Sequence, residues 1–206
     1  TPWDTYLTCE ENFNRYFSTN DPKYKIPAPV QRYGIKTEDR GFGWKQLDER
    51  FDISKHPHEP NRFGYIVEID PFDTTFIPRK HSALGRLKHE NAAVVINQTN
   101  HVVVYMGDDE RGEFIYRFVS SRTYDANSYN SNLLESGKLY VARFSDNMRG
   151  KWIELTPEST GMGSQAEICV HTRQASSAVH ATTMDRPECI SVNPKRTDVY
   201  CCLTNN

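Results

Sequence analysis

The stretch VVVYMGDDERGEFIYRFVS, residues 102–120, decides the fold class. Val102 to Met106 is an unbroken apolar run, the pattern of a strand covered on both faces. Phe114, Tyr116 and Phe118 recur with period two, which puts them on one face of a second strand. Between the two lies Gly107-Asp108-Asp109-Glu110-Arg111-Gly112, a run of turn-forming residues. Strand, turn and strand together read as a β-hairpin.

The same grammar repeats on either side. Phe63, Tyr65, Val67 and Ile69 alternate, which predicts a strand with those side chains on one face. Tyr140, Ala142 and Phe144 alternate against Leu139 and Val141, and Ser145–Gly150 turns that strand toward Lys151-Trp152-Ile153. Asn193–Asp198 separates Cys189–Val192 from Val199–Leu203 in the same way. Helical signal is thin: a turn or two over Glu10–Phe17 and a short segment over Gln165–Ala175. Consecutive hairpins predict an all-β fold of antiparallel meanders, as in sandwiches or propeller blades, with long loops and one or two short helices. Residues 18–62 form a long loop-rich insertion containing Pro22, Pro27, Pro29, Pro57 and Pro60. Tyr33, Phe42, Trp44 and Phe51 lie inside it, so we expect it to be ordered.

Composition removes several functions. The 25 Lys+Arg against 27 Asp+Glu give a net charge of −2, without the basic excess of a charge-driven nucleic-acid binder. Aromatics at 12% argue against disorder. No apolar run approaches the ~20 residues of a membrane-spanning helix. The five cysteines form no CxxC pair, and GxSxG, HExxH and P-loop motifs are lacking.

Four segments could carry chemistry. Thr8-Cys9-Glu10-Glu11-Asn12 sets a thiol beside two carboxylates, soft and hard ligands together, although a buried thiol before a solvated turn is the plainer reading. Asp108, Asp109, Glu110 and Glu113 crowd carboxylates around one turn; they repel unless a cation neutralises them, or they simply face water. Arg186 and Glu188 in Met184-Asp185-Arg186-Pro187-Glu188 could clamp a phosphate and hold a metal, or form a surface ion pair. Lys88-His89-Glu90 could offer a ligand in His89 or Glu90, although a lone histidine is more often a hydrogen-bonded structural residue. Beyond these four, His56 and His58 in a proline-rich loop could chelate only from an extended strand, and we read them as structural.

Read together, TPWDTYLTCEENFN (1–14), EPNRFGYIVEIDP (59–71), ALGRLKHENA (83–92), residues 102–120, LYVARF (139–144), ATTMDRPECISVNP (181–194) and LTNN (203–206) resemble the PhoX-type alkaline phosphatases. The matches are in order and are spread along the chain from residue 1 to residue 206. The sequence departs from the family pattern at Cys189, where we expect Trp, at His58, where we expect Asn, and at Asp4, where we expect Gly.

The resemblance implies a six-bladed β-propeller, of which residues 1–206 would be a partial, central portion forming a single domain. It implies a metal-dependent phosphatase that releases inorganic phosphate from small-molecule phosphomonoesters, with iron and calcium as cofactors. Cys9 would bridge the irons, Arg186 would contact the substrate phosphate as the catalytic arginine, and Glu188 would bind metal. A further Glu ligand is Glu90 or Glu110, and Asp108 and Asp109 are candidates for the calcium side. Export to the periplasm or beyond by the twin-arginine route is implied as well. We expect no nucleic-acid partner, a monomer at full length, and little activity from the isolated 206 residues. The alternatives are a non-catalytic calcium-binding propeller module and a propeller hydrolase acting on phosphotriesters or lactones.

Overall fold

A computed structural model describes residues 1–128, 130, 132–196 and 198–204. Asn205 and Asn206, the end of the LTNN match, lie outside the described residues. Among the described residues, ten strands run in chain order: β1 (Tyr6–Cys9), β2 (Ile66–Ile69), β3 (Arg79–His81), β4 (Ala93–Ile96), β5 (His101–Gly107), β6 (Ile115–Thr123), β7 (Gly137–Ser145), β8 (Arg149–Glu154), β9 (Pro187–Val192) and β10 (Val199–Leu203). The same residues include four α-helices: α1 (Ala28–Gln31), α2 (Pro157–Thr160), α3 (Gln165–Val170) and α4 (Thr172–Ala178). The described residues are mostly β, in several antiparallel sheets with short helices.

The hairpin at residues 102–120 is the middle of the largest sheet. Strands β4 to β8 pair in sequential order as a five-stranded meander. Val104 lies opposite Phe118, and Phe118 opposite Leu139. Val102, Val104, Met106, Tyr116, Phe118, Leu139 and Val141 are buried in one core with Leu84, Leu87, Ile168 and Ala175. On the other face the Arg117 guanidinium sits 4.6 Å from the Tyr140 ring and 4.8 Å from that of Trp152.

A smaller sheet of order β1-β2-β3 presents the N-terminal segment. Val67 and Ile69 share one face of β2, as period two predicts, and the opposite face, with Ile66 and Glu68, is the buried one. A polar clasp that periodicity cannot register holds Glu68 there. Glu68 accepts hydrogen bonds from Trp3 Nε1 at 2.7 Å and Thr5 Oγ1 at 2.5 Å, and pairs with His81 Nε2 at 2.9 Å. A buried carboxylate is tolerable when its oxygens are satisfied in this way.

Residues 18–62 fold over an aromatic core of their own, with Phe13, Phe17, Tyr33, Ile35, Phe51 and Ile53 buried together. Tyr16 stacks on Trp44 with ring centres 4.3 Å apart. Five short 3-10 turns shape the described chain in addition to the four α-helices, so helical structure exceeds the one or two helices expected. The segment Gln165–Ala175 breaks at His171 into α3 and α4. Each of these helices is too short to stand alone and is held by packing, with Ile168 and Ala175 fully buried.

Candidate metal and anion site

Three chain segments converge at one end of β1. The first is β1 itself, which ends at Cys9. The next two residues are both glutamates, and backbone geometry separates them. Glu10 accepts from the Gly64 and Tyr65 amides at 2.9 and 3.1 Å and from Lys80 Nζ at 2.6 Å, which holds it against β2 and β3. Glu11 instead faces the second segment, Lys88–Glu90, and the third, the β5–β6 turn.

There the carboxylates of Glu11, Glu90 and Asp109 each bring an oxygen within 4.8 Å of the others. Burial, followed by the charges of Glu90 and Asp109, pushes the Glu11 carboxyl above its ordinary range. Glu90 is raised by burial and then by Asp109 and Glu188. Burial first, then Glu90 and Glu11, drives the Cys9 thiol up to about 12. Among the described residues, buried Asp109 Oδ1 has no hydrogen-bond partner. Crowded anions shift in this direction when no cation stands among them, and a bound cation reverses the sign of each shift.

Arg186 closes the site from the side. Its Nη2 donates to Asp109 Oδ2 at 2.9 Å and lies 3.2 Å from Glu188 Oε1. Its backbone has φ 51°, a left-handed conformation that costs an L-residue energy and concentrates at functional positions. The side chain stays about one-third exposed, 36%, so part of its N–H fork is open to an anion.

Of the residues singled out in the sequence, Cys9, Glu90, Asp109, Arg186 and Glu188 come together. Asp108 does not join them. Its two oxygens accept from Arg173 Nε and Nη2 at 2.7 and 2.6 Å, and Oδ1 also takes the Lys88 amide at 3.0 Å. Adjacent residues 108 and 109 point opposite ways, one into the core and one into the site. Glu110 is paired with Lys88 Nζ at 2.6 Å. The open choice between Glu90 and Glu110 thus acquires a geometric difference, because only Glu90 belongs to the three-carboxylate group. His89 is buried, with Nε2 donating to the Gly85 carbonyl at 3.0 Å.

Two contributors are not resolved by the sequence. Glu11 is named there only together with Glu10; the signal that separates them is that neighbours leaving a strand cannot both face one side. Arg173, on α4, has no local signal at all, since it acts on a residue 65 positions away.

The cluster's donor set fits cations. Three carboxylates suit a hard ion such as calcium, and the Cys9 sulfur suits a softer one such as iron. An exposed guanidinium beside them suits a phosphate.

The family model for alkaline phosphatase PhoX matches residues 1–206. A solved structure, Pseudomonas fluorescens PhoX in complex with vanadate, a transition state analogue, is 49% identical and superposes with a TM-score of 0.94 over 100% of this chain. No curated protein matches. The chain spans 38% of the length of that structure. With its whole length matched by the family model, the chain belongs to the PhoX alkaline phosphatase family.

Proposed function

We propose that these residues form part of the catalytic centre of a metal-dependent phosphatase that hydrolyses phosphomonoesters to inorganic phosphate. The observation that carries this reading is the meeting of Glu11, Glu90 and Asp109 within 4.8 Å beside the Arg186 guanidinium. The solved relative was captured with a transition-state analogue, vanadate, which supports the same chemistry.

Calcium would be held by Glu11, Glu90, Asp109 and Glu188, and iron by Cys9. When bound, the cations would supply Lewis-acid stabilisation of charge on the phosphoryl oxygens. The chain's own contributions follow from its side chains. Arg186, held by Asp109 and Glu188 on one nitrogen, presents its remaining donors to the phosphate oxygens. Those two carboxylates fix the guanidinium plane, so orientation is established before substrate arrives. Asp109 thereby serves both the cation cluster and the arginine.

We extend the reading to the whole protein. The antiparallel meander of β4–β8 and the smaller sheets belong to one propeller domain, with residues 18–62 as an insertion in it. The partners are small phosphomonoesters, and location in the periplasm or outside the cell after twin-arginine export suits a protein that takes up its metals with folding.

Cys9→Ala in the intact protein tests the assignment. The expected result is loss of iron and a fall in p-nitrophenyl phosphate turnover of at least the 10- to 100-fold, roughly, that metal-site lesions cost. Retained iron with unchanged turnover would refute it. Turnover of a phosphotriester in preference to the monoester would move the protein to another hydrolase class.

A further inference from the structure

The β9–β10 hairpin carries three thiols, Cys189, Cys201 and Cys202, that the proposed chemistry does not use. Register sorts them. Val199 pairs with Val192, Tyr200 with Ser191 and Cys201 with Ile190; pairing resumes with Leu203 opposite Pro187. One residue, Cys202, therefore faces two, Cys189 and Glu188, which is a β-bulge on β9.

Burial follows the register. Ile190 is buried and its partner Cys201 half-buried, on the inner face of the hairpin. Cys189 and Cys202, the next residues along each strand, are both exposed. Side chains alternate along a strand, so these two thiols emerge on the same outer face, across from one another. Paired residues of antiparallel strands have Cα atoms about 4.5–5.5 Å apart, inside the roughly 4.4–6.8 Å that a disulfide spans, and Cys189 and Cys202 adjoin the paired Ile190 and Cys201.

Cys201 is set apart by its orientation: it is half-buried and faces inward, away from its sequence neighbour.

We propose that Cys189 and Cys202 are a cross-strand thiol pair that closes to a disulfide on exchange with an external disulfide. The first thiolate attacks the donor's S–S bond, forming a mixed disulfide and releasing one donor thiol. The second thiolate attacks the protein sulfur of that mixed disulfide and releases the other donor thiol. Two protein thiols are oxidised by two electrons and lose two protons; one donor disulfide is reduced to two thiols. The inference is independent of the phosphatase reading, although Cys189 Sγ lies 4.0 Å from Glu90 Oε1 and would then be tethered to β10.

The test is made on the intact protein, incubated with oxidised glutathione, alkylated and digested without reduction. Lys195 and Arg196 lie between the two cysteines, so trypsin separates them unless a disulfide joins the peptides. The expected product is a Cys189–Cys202 linked peptide, with Cys201 alkylated. Cys201→Ser should leave the linked peptide unchanged, and Cys189→Ser should abolish it while the melting temperature of the reduced protein holds. Full alkylation of both thiols after oxidation, a persistent glutathione adduct, or a link through Cys201 would each overturn the proposal.

Discussion

Arg173 on α4 and Asp108 in the β5–β6 turn form a two-point ion pair, with nitrogen–oxygen distances of 2.7 and 2.6 Å and no exposed surface on either side chain. Burial works against the arginine's charge, but Asp108 and then Glu113 outweigh it and hold it protonated. Arg173 Nη1 also donates to the Arg32 carbonyl at 2.6 Å. Asp108 Oδ1 takes the Lys88 amide, and the Asp109 amide donates to the Lys88 carbonyl at 3.0 Å. One arginine thus fastens a helix, the insertion and the two segments that carry Glu90 and Asp109.

Removing one partner of such a pair leaves an uncompensated charge in the core. Arg173→Met should therefore destabilise the intact protein by about 3–5 kcal/mol. Adding Asp108→Asn should recover part of that loss, because the stranded charge is gone. Chemical denaturation of the two variants measures both. A loss below about 1 kcal/mol, the range of a surface pair, would show that the contact is not buried in solution.

Much of this was readable in the sequence, and the unreadable part has a common cause. The hairpin at residues 102–120 was legible because its apolar alternation and turn residues are local. Which face of β2 is buried was not legible, because Glu68 occupies a core position under a clasp from Trp3, Thr5 and His81, partners up to 65 residues away. The site divides the same way. Ligand-type residues were visible as segments, but the division of labour between Asp108 and Asp109 depends on Arg173. Glu11 is told from Glu10 only by the Gly64 and Tyr65 amides that hold the latter.

The carboxylate cluster predicts cation linkage. Calcium should raise the melting temperature of the chelator-treated protein in a concentration-dependent way, because binding favours the folded state. Asp109→Asn and Glu11→Gln should each weaken that response by at least about 10-fold in calcium concentration. Glu110→Gln, whose carboxylate is held by Lys88 Nζ, should retain it. Equal responses from all three variants would dissolve the cluster as a site.

Acid sensitivity follows from His89. Burial lowers its pKa from 6.5 to about 4 in the folded protein. The unfolded chain therefore binds the proton more readily between those values, so stability is full above pH 6.5 and falls as pH drops toward about 4. The loss should be on the order of 3 kcal/mol, because each tenfold difference in proton affinity between the folded and unfolded chain is worth about 1.36 kcal/mol. Denaturation midpoints measured across that window should decline more steeply in the parent than in His89→Gln. Parallel declines would assign the acid limb to other groups.

Gly107 ends β5 where β9 crosses closest. A Cβ placed there would lie 2.3 Å from the Pro187 carbonyl oxygen and 2.6 Å from that of Glu188, both backbone atoms. Backbone cannot swing aside as a side-chain tip can, so Gly107→Ala must push β9 outward at Pro187–Glu188. Those residues adjoin Arg186, whose hold on Asp109 depends on a 2.9 Å hydrogen bond. The variant should lose about 1–3 kcal/mol of stability through overpacking. It should also bind inorganic phosphate, read as product inhibition, about tenfold more weakly, which corresponds to about 1.4 kcal/mol. The two losses together would locate the arginine's register in the β5–β9 contact; a stability loss with phosphate inhibition intact would show that Arg186 is positioned by its own ion pairs alone.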